Sequence, residues 1–127
     1  MSKHVLVIDD DEAVRESFVL ALEDTEYPVD TVESGERGLE MVQKTEYGLI
    51  FLDLKMPGMS GVETLREMRR MGIDTPVYVV TAFHKEFLDE LKELEAEGID
   101  YELIQKPISS RRIFLITRGV LDGAVAY

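Results

Sequence analysis

Residues 48–61 read GLIFLDLKMPGMSG. The stretch opens as an uninterrupted apolar run, Leu49-Ile50-Phe51-Leu52, and ends that run on a carboxylate, Asp53. Continuous aliphatics of strand length, with no polar alternation, suit a strand buried on both faces. Pro57 and Gly58 follow as turn punctuation. Ser60-x-x-Glu63 then forms a capping box ahead of Val62, Leu65 and Met68, which are spaced as one helical face. Asp53 therefore stands where a central strand gives way to a loop and then a helix. In an open α/β sheet that carboxyl edge is where ligands bind. Taken alone, Asp53 reads equally well as a turn residue that ends a strand.

Outward from this stretch the same alternation recurs. Val5-Leu6-Val7-Ile8 is a second continuous apolar run, and it ends in Asp9, Asp10, Asp11 and Glu12. Asp11 is placed to cap a helix that carries Val14, Phe18, Ala21 and Leu22 inward. Val29 to Val32 reads as a weaker strand. Ser34-Gly35 opens a helix with Leu39 and Val42 inward, running to about Thr45. The helix after Asp53 spans Gly61 to about Met71. Pro76 to Thr81 is a fourth strand, and Lys85 to Glu97 a helix with Phe87 or Leu88, Leu91 and Leu94 inward. Tyr101 to Gln105 is a fifth, more polar strand suited to an edge, and it leads into Lys106-Pro107. Ser109 or Ser110 caps a last helix holding Ile113, Ile116 and Val120. The tail from Gly119 to Tyr127 is weakly patterned. Five strand-then-helix units indicate a doubly wound α/β fold, a parallel sheet covered by helices on both faces. The glycines form neither GxGxxG nor a P-loop.

Composition narrows the function. A chain of 127 residues holds one core, so residues 1–127 are read as a single domain with a core of about 3–121 and a short C-terminal tail. There is no cysteine, which removes disulfides, thiolate metal sites and thiol nucleophiles. The N-terminus lacks a signal-peptide hydrophobic region, and no apolar run approaches membrane-spanning length; a cytoplasmic location is expected. The formal net charge of -12 argues against direct nucleic-acid binding.

In a parallel sheet every strand points its carboxyl end at the same edge. That edge gathers Asp9 and Asp10, Asp53, Thr81 and Lys106. Three adjacent carboxylates repel, and without a cation one of them is held protonated more readily. An oxygen-only cluster suits Mg²⁺. An ammonium and a hydroxyl nearby suit the remaining oxygens of a phosphoryl group, and an Asp carboxylate is a competent phosphoryl acceptor. Each residue alone has a bland reading as cap, turn or surface charge; their coincidence at four strand ends is harder to read that way.

The chain resembles the receiver domains of bacterial two-component response regulators, of the chemotaxis-regulator type, over nearly all its length. The motifs that carry the resemblance are VLVIDDDEAVR (Val5 to Arg15), LIFLDLKMPGMSG (Leu49 to Gly61), VVTA (Val79 to Ala82) and QKP (Gln105 to Pro107). It implies a flavodoxin-like strand order 2-1-3-4-5, with Asp53 as phosphoacceptor. It further implies that Asp10, Asp53 and the backbone carbonyl of Lys55 ligate Mg²⁺, with Asp9 acting through water. Thr81 and Lys106 contact phosphoryl oxygens, the Lys106-Pro107 bond is cis, and Lys55 and Phe83 tune the hydrolysis rate. The implied partners are a sensor histidine kinase or phosphotransfer domain and a downstream protein or output domain, with a homodimer through the last helix surface left open. The domain would catalyse its own phosphorylation and slow dephosphorylation, with no separate enzymatic activity. Neither His4 nor His84 sits in a pattern expected of a phosphohistidine.

Two departures stand out. The family's aromatic switch residue lies three places before the lysine; here that position is Leu103, with Tyr101 on the same strand face and Phe83 as a further aromatic nearby. The segment between Thr81 and Lys106 is also slightly long. These features favour an alternative, a receiver-like docking module without a phosphorylation cycle. A small-molecule phosphohydrolase shares the Asp and Lys logic but leaves no room for a substrate-enclosing cap.

Overall fold

Apolar runs four residues long bury completely only when helices cover both sides of their sheet. Val5–Ile8 (β1) and Leu49–Leu52 (β3) are buried at every position in the computed structural model, which describes residues 2–123. Around them lie α1 (Glu12–Leu22), β2 (Val29–Val32), α2 (Gly35–Lys44), α3 (Gly61–Arg70), β4 (Val77–Thr81), α4 (Leu88–Ala96), β5 (Glu102–Gln105) and α5 (Ser110–Asp122). All strand pairs are parallel, and the order is β2-β1-β3-β4-β5. The doubly wound fold and the order 2-1-3-4-5 expected from sequence are thus the observed ones.

Alternation along the strands divides the core in two. Leu6, Ile8, Ile50, Leu52, Val77 and Val79 face α2, α3 and α4, meeting Val42, Leu65, Met68, Leu91 and Leu94. Val5, Val7, Leu49, Phe51, Val80 and Ile104 face α1 and α5, meeting Phe18, Leu22 and Ile113. The helix starts follow their caps. Asp11 Oδ1 accepts from the backbone N–H of Ala13 at 2.9 Å, Ser34 caps α2, Ser60 and Glu63 form the full capping box of α3, and Ser109 rather than Ser110 caps α5. β5 is an edge strand with only Ile104 buried.

Three expectations are refined. The helix expected over 85–97 is broken at its start: His84–Phe87 is a 3₁₀ turn, and α4 begins at Leu88. No side chain caps either segment, so nothing fixes the first turn as α-helical. Phe87 packs against the core, whereas Leu88 is exposed. Patterning also undercounted α5, which continues through Gly119 to Asp122 and stops at Gly123, a left-handed C-cap. The rest of the expected tail, 124–127, lies outside the described residues.

One close approach positions the functional edge. The backbone N–H of Gly61 donates to the Leu54 carbonyl at 2.8 Å, and a Cβ on Gly61 would stand 2.1 Å from the Asp53 carbonyl oxygen and 2.8 Å from Leu54 Cα. Both are backbone atoms, so neither can swing aside. Gly61→Ala is expected to cost about 2–3 kcal/mol in urea unfolding, as overpacking against fixed atoms. Gly119→Ala, with nothing within 4 Å of its Cβ in a helical segment, should instead stabilise by roughly 0.5–1 kcal/mol.

Candidate functional site

The carboxyl ends of β1, β3, β4 and β5 bring together the residues singled out from sequence. Asp9 follows β1 and is buried; Asp10, next to it, is exposed. Asp53 follows β3 and is 4% exposed. Carboxylate oxygens of Asp9, Asp10 and Asp53 all lie within 4.8 Å of one another. Lys106 reaches in from the end of β5. Its Nζ stands 2.8 Å from Asp9 Oδ2 and 3.5 Å from Asp53 Oδ2. The Lys106-Pro107 peptide is cis, as the resemblance implied. Thr81 ends β4, fully buried, and its Oγ1 accepts from the backbone N–H of Phe83 at 3.1 Å.

Backbone donors hold the carboxylates in place. Asp9 Oδ1 accepts from the N–H of Asp11 at 2.9 Å, and Asp53 Oδ1 accepts from the N–H of Leu54 at 2.9 Å. Arg15 donates from Nη1 to the Asp9 carbonyl at 2.8 Å, tying the first turn of α1 to the site. This contact was not anticipated, although Arg15 lies within the quoted motif.

The electrostatics follow from burial and crowding. Removal from water, and next the negative field of Asp9, push the Asp53 carboxyl up to about 6; Lys106, the Leu54 N–H and the Thr81 side chain act the other way but do not cancel them. For Lys106, burial alone would depress the ammonium. The hydrogen bond to Asp9 and the fields of Asp53 and Asp9 more than offset it, so its pKa lies above the usual lysine value. An oxygen-only cluster with a charge deficit, met by one ammonium, fits a small hard cation such as Mg²⁺.

Contacts that sequence reasoning found only in part join the loops that follow β3 and β4. Lys55 Nζ lies 4.5 Å from the centroid of the Phe83 ring and 3.4 Å from Glu86 Oε1. This links the loop after β3 to the segment after β4. Lys55 and Phe83 were singled out; Glu86 was not, and its 31-residue separation from Lys55 left no local signal. Of the expected switch positions, Thr81 lies at the cluster, where its side chain hydrogen-bonds Asp53. Leu103 is 38% exposed, and the Tyr101 hydroxyl donates to Glu95 on α4 at 3.3 Å.

The raised Asp53 carboxyl has a stability consequence whose sign is fixed. The unfolded chain ionises Asp53 near 3.8 and the fold near 6, so the fold loses stability as pH rises through that window. The full shift corresponds to roughly 3 kcal/mol, and hydration at the site mouth reduces this to about 1–2 kcal/mol. Asp53→Asn, measured by urea unfolding in the presence of a chelator, should therefore gain about 1–2 kcal/mol at pH 7.5. The gain should shrink towards zero by pH 4; a gain independent of pH would contradict this origin.

A family model described as the response regulator receiver domain matches residues 5–118. Response regulator MprA of Mycobacterium ulcerans is 34% identical over 121 residues, which is 95% of this chain and 51% of that protein. The transcriptional regulatory protein ResD of Bacillus subtilis is 34% identical over 120 residues, covering 94% of this chain and 48% of that protein. The chain thus spans about half the length of the curated relatives it matches. Among solved structures, a receiver domain protein from Methanospirillum hungatei superposes with a TM-score of 0.83 at 26% identity, covering 97% of this chain and 96% of that one. The response regulator TrrA from Thermotoga maritima, solved in complex with Mg²⁺ and BeF, superposes with a TM-score of 0.76 at 28% identity, covering 95% of this chain and all of that one. With acidic cluster, lysine, strand order and sequence all agreeing, this chain belongs to the response regulator receiver domain family.

Proposed function

We propose that residues 1–127 form one phosphorelay receiver that accepts a phosphoryl group on Asp53 from a histidine kinase or phosphotransfer domain in the cytoplasm. The observation that carries this reading is the buried Asp53 carboxylate held between Asp9, Asp10 and the Lys106 ammonium. Asp10, Asp53 and the Lys55 carbonyl would hold Mg²⁺ directly, with Asp9 acting through water. When bound, the ion supplies positive charge to the cluster and to phosphoryl oxygens.

The chain's own residues account for the rest. An Asp53 carboxylate oxygen attacks phosphorus, the phosphorus–nitrogen bond of the donor phosphohistidine breaks, and the imidazole leaves with the electron pair. Lys106 and the Thr81 hydroxyl receive phosphoryl oxygens, so transfer rests on positioning and charge neutralisation. Slow hydrolysis returns the carboxylate when water attacks phosphorus in line. Lys55 over Phe83, paired with Glu86, screens that approach. The phosphorylated form would then alter contacts with a downstream protein, an output domain or a second copy of the chain. Exposed Leu103, and Tyr101 engaged with α4, favour a second reading in which the domain docks partners without a phosphorylation cycle.

Incubation with Mg²⁺ and acetyl phosphate should add one phosphoryl group by intact-protein mass. The adduct should vanish with chelator or in Asp53→Asn. No adduct, together with no beryllofluoride binding, would favour the docking reading. Lys55→Ala should shorten the half-life of the adduct about 2–5-fold, the worth of an exposed charged contact; an unchanged half-life would remove Lys55 from rate control.

A further inference from the structure

The loop after β4 carries more structure than its sequence suggests. Thr81 and Gln105 are direct partners on the adjacent parallel strands β4 and β5. Immediately beyond them, the N–H of Lys106 donates to the Thr81 carbonyl at 3.1 Å. The Thr81 hydroxyl oxygen accepts from the Phe83 N–H, which bends the loop back over the strand end. The next residue, His84, opens the 3₁₀ turn, and no side chain caps that turn. Its ring is held from the other side: Gln105 Nε2 lies 2.8 Å from His84 Nδ1.

We propose that His84 and Gln105 are a positioning pair that aims the Thr81 hydroxyl. The proposal rests on the reading of Asp53 as phosphoacceptor. The Phe83 N–H occupies one lone pair of Thr81 Oγ1 and so orients the hydroxyl, leaving its hydrogen to donate to a phosphoryl oxygen. That orientation persists only while residues 82–84 keep their path. The Gln105 amide pins the end of this path to β5, one residue before the lysine that contacts Asp9 and Asp53. The pair thereby links the two strand ends that carry the two phosphoryl contacts. Neither residue touches the reacting atoms; both act through Thr81.

The test uses the full chain, Mg²⁺ and acetyl phosphate at a series of concentrations, reading the initial rate of adduct formation by intact mass. Gln105→Met keeps the side-chain length without the amide, and His84→Leu removes the ring nitrogen. Each should lower the maximal rate ~2–10-fold, the range of one neutral hydrogen bond, with the half-saturating concentration and the urea midpoint close to wild type. The double variant should be no slower than either single one, because both break the same link. His84→Asn, whose side-chain amide can both donate and accept in place of Nδ1, should recover most of the rate. Singles at the wild-type rate, multiplying losses in the double variant, or no recovery with His84→Asn would each overturn the pair. A wild-type chain that takes no phosphoryl group would overturn the Asp53 reading and this one together; a normal wild type beside normal variants would overturn only this one.

Discussion

Three carboxylates share one ammonium at the carboxyl edge of the sheet. Asp9 and Asp53 are nearly buried, Asp10 stands at the mouth, and Lys106 contacts the two buried ones. Such an arrangement is unfavourable by itself: burying carboxylates costs hydration free energy, and gathering them adds repulsion. Asp53 carries the visible part of this cost as a carboxyl lifted to about 6. The remainder of the fold offsets it. Two apolar layers, one on each face of the sheet, hold the strand ends in place against the repulsion.

The parallel topology is what makes the crowding unavoidable. Four strands deliver the site residues to one edge, and the loops after β1, β3 and β5 lead into helices capped by Asp11, Ser60 and Ser109. Gly61 brings the start of α3 against the backbone of Asp53 and Leu54, so the loop after β3 has little room to relax. The edge strand β5 is largely exposed yet leads directly into the lysine on which the cluster depends. Its placement rests on pairing with β4 and on side-chain ties across the loop, more than on burial of its own residues.

Charge is distributed unevenly over this scaffold. Residues 85–102 contain eight acidic and two basic side chains, so this one segment supplies half of the net charge of -12. The acidic residues of α4 are exposed, and Arg66 of α3 binds Glu97 at 3.0 Å across the helix pair. A field of this sign repels polyanions and concentrates cations near the acidic cluster. No helix among the described residues is long and apolar enough to cross a membrane.

Sequence alone determined the five strand–helix units, the caps at Asp11 and Ser60, and the set Asp9, Asp10, Asp53, Thr81 and Lys106 at one edge. Those features are local: an apolar run, a cap within three residues of its target, a polar residue ending a strand. The topology then needs only that parallel strands share a direction. Where a local signal was weak, at the uncapped start of α4 and along α5 beyond Gly119, the expected boundaries shifted. Tertiary structure decided the rest. It set the Asp53 carboxyl near 6, joined Lys55 to Phe83 and Glu86, sent Tyr101 to Glu95, and paired His84 with Gln105. Most of these join residues some twenty or more apart in the chain, and the Asp53 carboxyl in addition responds to its distance from water. Neither spacing nor propensity encodes such distances, because they exist only after the two apolar layers have closed on the sheet.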